Sequence, residues 1–433
     1  MSGITSRSQQ ARILRAVNEL APRLLEFACS LIDIPTVNPP GRNYLRCAEL
    51  IQSKLRDIGF KASLFAAEGH QDHSVEYPRH NVLASLWGVQ RRPLLHFNGH
   101  IDVVPAGEGW TRDPFAGAVE NGRLYGRGSS DMKAGLAAAI FAVESLQLAG
   151  VDLKGSIQIS ATVDEESGGF AGVSYLAHKG LLTSRSIDYV VIPEPFGASR
   201  ICIGHRGVYW FRITSFGKTA HGSMPYLGIN AIENMAVLLE EIRGTVGPEI
   251  ASRMTGMPVV PRRSRFGTLN VNSIRGGQAE YRRQSPCVAD RCEVVCERRW
   301  LLEDGVGGEG VREIKAQLSG AIERVMLAKP GSRFEMEDCG NTVFPTATSP
   351  DAEIVTSLAS SVRSVLGREP ELVASPGTYD HKHFTHIGSI QQCVAYGPGE
   401  LEQAHQPDEW CGVDDIIQST KVMALTAARL VGA

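Results

Sequence analysis

The chain reads as an α/β protein whose main domain is built on a two-sided, mostly parallel sheet. An α+β domain of ferredoxin-like kind is inserted into it. Three observations predict this. Short apolar runs alternate with helical patterns up to about residue 205. Beyond Gly207 the pattern changes to longer, alternating β segments with fewer helices between them. Helix and strand patterns of the first kind then resume to the C-terminus. The predicted boundaries are 1–206 and 329–433 for the two parts of the main domain, and 207–328 for the insert.

Leu45, Leu50, Ile51, Leu55 and Ile58 recur at helical spacing, and Gly59 stands where a helix stop belongs. The apolar runs Asn81–Trp87 and Pro93–Gly99 suit buried strands, the second ending on a glycine. Asp131 precedes an Ala-rich segment reaching Gly150, which predicts a helix with an acidic N-cap. Ser156–Val163 and Asp188–Glu194 are further strands. In the insert, Val208–Gly217, Thr268–Ile274 and Arg291–Arg299 alternate in β fashion, with helices at Ala231–Arg243 and Val311–Leu327. Glu68–Arg79 and Pro261–Gly267 read as mobile loops.

Composition narrows the function. Of 433 residues, 43% are hydrophobic and 21% charged, as in ordinary globular proteins, which excludes wholesale disorder. Lys+Arg number 44 against 47 Asp+Glu, so no basic surface for nucleic acid or an anionic membrane is expected. The longest apolar run, Ala134–Val143, stops at Glu144 and is too short to span a bilayer. The N-terminus lacks the basic-then-apolar order of a signal peptide, so the expected location is the cytoplasm. The nine cysteines form no disulfide framework, and Cys287, Cys292 and Cys296 cluster without zinc-ribbon spacing; in DRCEVVCERR the pattern reads as a strand with buried free thiols. Any metal must therefore be held by His and carboxylates.

Such residues gather just after predicted strands, where α/β sheets place their ligands. His100 and Asp102 follow LLHFNG, Asp131 sits in GRGSSDMKAG, and Glu165 with Glu166 in TVDEESGG. Glu194 ends VVIPEP and His405 lies in QAHQPDEW. Singly, these read as a structural His in a turn, a helix cap and a solvated acidic turn. Together, in this order, they read as a metal site.

These segments, with GHIDVVPAG, GKTAHGSMPYLGINAI and GPG…AH…DE, resemble the co-catalytic zinc amidohydrolase and exopeptidase family. That family includes acetylornithine deacetylase, succinyl-diaminopimelate desuccinylase, aminoacylase and glutamate carboxypeptidase. The resemblance runs from VNPPG to the last helix. It implies that His100 and Glu194 each bind one of two divalent metals and that Asp131 bridges both. Glu166 and His405 bind the second metal, Asp102 orients His100, and Glu165 is the general base. Zn²⁺ suits these donors, and Co²⁺ or Mn²⁺ can replace it. A pair of cations also offsets carboxylates that would otherwise raise one another's pKa.

The resemblance further implies that His221 acts as an oxyanion donor in a neighbouring subunit, which makes the insert a lid and dimerisation domain of a homodimer. Arg299 or its neighbour Arg298 is the expected contact for a substrate carboxylate, with Asn270 a second contact. Pro286 and Ala289 stand where the family has Asn and Pro, so substrate specificity is the least legible property. His381, His383 and His386 are expected on a helix surface near the cleft, and His205 at a hinge. His70, His73 and His80 have no assigned role. The implied activity is cleavage of an amide C–N bond in a small carboxylate-bearing substrate. An N-acyl amino acid deacylase is the first reading and a dipeptidase or carboxypeptidase the second. A metal-binding protein that has lost catalysis is the reading from another class.

Overall fold

The computed structural model describes residues 6–278, 286–305 and 308–433. They divide into two compact units. The first takes in the chain up to Gly204, Thr348–Val373 and Tyr379–Ala433; the second comprises His205–Ala347 and Ala374–Thr378.

The first unit is built on a large sheet. Its strands run Lys61–Ala66, His80–Leu86, Ser156–Thr162, Leu94–His100, Tyr189–Pro195, Cys393–Gly397 and Arg200–His205 in spatial order. The central pairings are parallel, from Ser156–Thr162 across to Cys393–Gly397. The flanking ones are antiparallel, so the sheet is mixed. Parallel neighbours need a long crossover, and the helix Lys133–Leu148 supplies the one between Leu94–His100 and Ser156–Thr162. Lys61–Ala66 and His80–Leu86 need only a loop, and pair antiparallel.

Alternation along the strands separates two chemistries. Leu95, Phe97, Ile157 and Ile159 join the apolar core with the helices Arg7–Ile32, Lys133–Leu148 and Val413–Val431. The intervening His96, Asn98, Gln158 and Ser160 are just as buried and bond to one another. The helix His381–His386 lies against this second row, with the Phe384 ring 5.5 Å from that of His96. The Ala-rich composition of Lys133–Leu148 follows from its burial on nearly every side. At Gly135 an added Cβ would fall 2.0 Å from the Pro193 carbonyl oxygen. Asp131 does not cap this helix. Met132 holds the N-cap position with no side-chain bond to the helix N–H groups, and the Asp131 carboxylate is turned to His100.

The second unit has the order βαββαβ. Its four strands lie Thr268–Gly276, Arg291–Trp300, Gly207–Phe216 and Arg333–Asp338, all antiparallel. The helices Ala231–Ser252 and Gly308–Ala328 bury Leu238, Ile242 and Leu318 against Phe211, Ile213 and Val294. Asn230 caps the first by accepting the N–H groups of Ile232 and Glu233. The unit extends beyond residue 328 because Arg333–Asp338 supplies its outer strand.

Candidate metal centre

His100, Asp131, Glu166, Glu194 and His405 are brought together in the first unit. His100 ends its strand, and Glu194 lies near the end of the parallel strand Tyr189–Pro195. Glu165–Ser167 is a 3-10 turn that follows Ser156–Thr162. His405 follows the turn Leu401–Gln403 with a left-handed φ of 63°.

The donor atoms of His100, Asp131 and Glu194 lie within 4.8 Å of one another, as do those of Asp131, Glu166 and His405. Asp131 belongs to both groups. Its Oδ1 is 3.0 Å from His100 Nε2 and its Oδ2 is 3.4 Å from His405 Nε2. Glu166 is 3.1 Å from His405 Nε2, and Glu194 4.0 Å from His100 Nε2. Imidazole and carboxylate donors around one shared carboxylate fit a pair of divalent cations.

Electrostatics describe the same crowding. Burial, then the Asp131 charge, pushes Glu194 well above the usual carboxyl range, and burial also raises Glu166. Burial opposes ionisation of Asp131, but bonds from His100 and His405 outweigh it and hold its carboxyl below that range. Bonds to Asp131 and Glu166 lift His405 to about 10. Positive charge is what this cluster of acids demands.

Further residues hold the donors in place. Asp102 is fully buried, and its carboxylate accepts N–H bonds from Glu165, Glu166 and the Asn38 amide, each at 3.1 Å. His100 Nδ1 meets the Asp102 backbone carbonyl at 3.0 Å, with the carboxylate farther away at 3.6 Å. The ring is thus oriented by Asp102 mainly through its main chain. Asp164, with a left-handed φ of 61°, is fixed by Tyr44 Oη at 2.7 Å and Arg79 Nε at 3.0 Å. Glu409, fully buried, accepts N–H bonds from Gly128, Ser130 and Asp131 on Oε1 and pairs with Arg127 through Oε2. Sequence reasoning assigned no role to Glu409; its only signal is its place in AHQPDEW.

Glu165 is the acid of this turn that joins neither donor group. Its carboxyl rises to about 8 through burial, an effect that Lys382, 3.6 Å from Oε1, partly opposes. His381 and His383 are buried rather than on a helix surface, and His383 Nε2 bonds the Gly168 carbonyl at 2.7 Å. Neither belongs to a donor group found among the described residues.

The other candidates lie in the second unit. His221 is exposed, and its Nδ1 accepts the Ser223 N–H at 3.2 Å. Arg298 is buried beside Asp304 at 3.7 Å, whereas Arg299 pairs with Glu297. Asn270 is exposed and donates to Asn272 Oδ1 at 3.0 Å.

The family model described as Peptidase family M20/M25/M40 matches residues 96–429. A succinyl-diaminopimelate desuccinylase of Methylobacterium radiotolerans is 29% identical over 408 residues, 92% of this chain and 94% of that protein. An acetylornithine deacetylase of Photorhabdus laumondii is 28% identical over 419 residues, 94% of this chain and 97% of its own. The solved structure of human carnosine dipeptidase 1 superposes with a TM-score of 0.76 at 18% identity, covering 99% of each chain.

Proposed function

The chain belongs to peptidase family M20/M25/M40 and is a hydrolase of C–N bonds, and from that premise we propose that it is an N-acyl amino acid deacylase. Its substrate is a small amide that also carries a carboxylate. The observation that supports this best is the sharing of Asp131 between two donor groups, with the unligated acid Glu165 beside them.

His100, Asp131 and Glu194 would hold one divalent ion; Asp131, Glu166 and His405 would hold the other. Zn²⁺ fits, with Co²⁺ or Mn²⁺ as substitutes. Bound there, such ions lower the pKa of water and polarise the amide carbonyl. Glu165 takes the proton of the attacking water and delivers it to the departing amine, the part left to the acid of this turn that belongs to neither donor group. Asp102 keeps the acidic turn and His100 in register for this.

His221 supplies a hydrogen bond to the tetrahedral oxyanion from a second copy of the chain. The second unit, which takes in residues 207–328 and continues to Ala347, then serves as lid and dimerisation domain of a cytoplasmic homodimer. Either Arg299 or Arg298 meets the substrate carboxylate, with Asn270 nearby. Sedimentation equilibrium that finds only monomer would remove the shared-site part of this reading.

The likeness to a dipeptidase over the full chain favours dipeptide hydrolysis as a second reading. Zinc-loaded protein is to be screened against N-acetyl, N-succinyl and other acyl amino acids beside dipeptides, with released amine as the readout. Deacylation is expected. Turnover of dipeptides alone selects the second reading, and no turnover with two metals bound selects a non-catalytic protein.

A further inference from the structure

Lys382 is buried beside the proposed base and has no part in the chemistry above. It is 4% exposed, on the helix His381–His386, and its Nζ has no hydrogen-bond partner among the described residues. An amine buried without hydrogen bonds is unfavourable unless a charge offsets it. Among the described residues the ion pair it makes is with Glu165 Oε1, at 3.6 Å, and the buried Asp380 carboxylate is the other acid whose charge it offsets.

Glu165 needs such a partner. Its backbone N–H is fixed on Asp102 Oδ1 at 3.1 Å, but among the described residues no hydrogen bond reaches its carboxylate. The orientation of three side-chain torsions is therefore left to packing and charge.

The two segments that carry the pair are locked together. His383 Nε2 bonds the Gly168 carbonyl at 2.7 Å, three residues beyond Glu165. At Gly169 an added Cβ would lie 2.4 Å from Asp380 Oδ1 and 3.0 Å from His383 Nε2, so the turn and the helix leave no space between them. Asp380 is itself held on the sheet by Asn98 Nδ2 at 3.1 Å. The path between Glu165 and Lys382 thus runs through close contacts rather than a free loop.

We infer that Lys382 is a positioning residue for Glu165: it holds Oε1 and leaves the other carboxylate oxygen free to accept a proton. The charge acts on direction, and a neutral side chain of the same length cannot replace it. The inference rests on the reading of Glu165 as proton acceptor.

Crystal structures of the zinc-loaded full chain, wild type and Lys382→Met and Lys382→Arg variants, test it directly. One Glu165 orientation, with Oε1 toward residue 382, is expected in wild type and Lys382→Arg, and several in Lys382→Met. On whichever screened amide the wild type turns over fastest, Lys382→Met should lower kcat by about 100-fold, the penalty of a misplaced group, with KM and zinc content unchanged. Lys382→Arg should recover most of the rate. In a Glu165→Gln background the same Lys382→Met change should remove nothing further, since the two residues act as one unit. If Lys382→Met does not fold, Lys382→Gln replaces it, with the same loss expected.

A wild-type structure with Glu165 turned away from Lys382 overturns the inference, whatever the variants do. So does a Lys382→Met protein with unaltered kcat, or an equal loss in the Glu165→Gln background. Full kcat in Glu165→Gln overturns the base assignment instead, and the crystal structures still decide what Lys382 holds.

Discussion

Asp102 holds Glu165 by the main chain: its Oδ1 accepts the Glu165 N–H at 3.1 Å, while Oδ2 accepts that of Glu166 at the same distance. One buried carboxylate thereby ties the strand that ends in His100 to the turn that carries both acids. Hydrogen bonds to an ionised acceptor are stronger than neutral ones, so the tie is firm.

Asp102→Asn should loosen both ends. The amide offers one acceptor and puts a donor against N–H groups or the Asn38 amide, which already donates to Oδ2. Zinc affinity is expected to fall by about 10–100-fold, as for other losses behind metal ligands, and turnover with it. Calorimetric zinc titration beside rates at saturating zinc measures both. Unchanged affinity would mean that the turn keeps its shape without Asp102.

Glu409 should matter chiefly to stability. Removing it by Glu409→Ala leaves three loop N–H groups without their acceptor and the buried Arg127 without a counter-charge, although its guanidinium still donates to the Ala106 and Gln406 carbonyls. Breaking a buried pair from one side costs about 3–5 kcal/mol. Urea unfolding of the metal-free protein is the measurement, and a loss below about 1 kcal/mol would show that the loop relaxes around the gap.

His100 and Glu194 were legible because they lie at the ends of strands whose apolar runs are easy to read, and Glu166 because its turn follows another. Asp131 and His405 were legible only through the motifs that carry them. Strand direction was not. The runs around Asn81 and Pro93 look alike, yet one strand lies in antiparallel pairings and the other in parallel ones, since direction depends on the connection rather than the residues. The work of Glu409 and of the Asp102 carboxylate was hidden for another reason. Both bond main-chain N–H groups, which every residue has, so the partner leaves no mark in the sequence. His381 and His383 show a third limit: spacing places residues on a helix but not what covers it.

Two of the buried histidines predict an acid-side loss of stability. Burial lowers His96 to about 3, against a small upward pull from Gln158, and burial lowers His381 to about 3 as well. Each is neutral in the folded chain and takes a proton on unfolding below its ordinary pKa of about 6.5. The unfolded state then binds more protons, so this contribution is complete above about pH 6.5 and is lost as pH falls toward about 3. Per histidine the slope approaches about 1.4 kcal/mol per pH unit. His96→Gln keeps polarity but does not titrate, so its unfolding free energy should fall less steeply than wild type between about pH 6 and pH 4. Parallel curves would mean that His96 is already protonated in the fold.

Glu165 and Glu166 are adjacent and chemically alike, so exchanging each for Gln separates their tasks. Glu166 lies 3.1 Å from His405 Nε2 within a donor group, and the Glu165 carboxylate faces Lys382 at 3.6 Å outside both groups. Glu165→Gln keeps the size of the side chain and removes the proton acceptor. Both metals should remain while kcat falls by at least about 100–10,000-fold, the range for general acid–base groups. Glu166→Gln removes an anionic donor, so one metal should bind more weakly and added zinc should restore part of the rate. Zinc titration of both variants, read beside kcat at saturating zinc, tells the two apart. Weakened binding in Glu165→Gln with normal binding in Glu166→Gln would reverse the assignment, and the ligand would then be the acid that Lys382 holds.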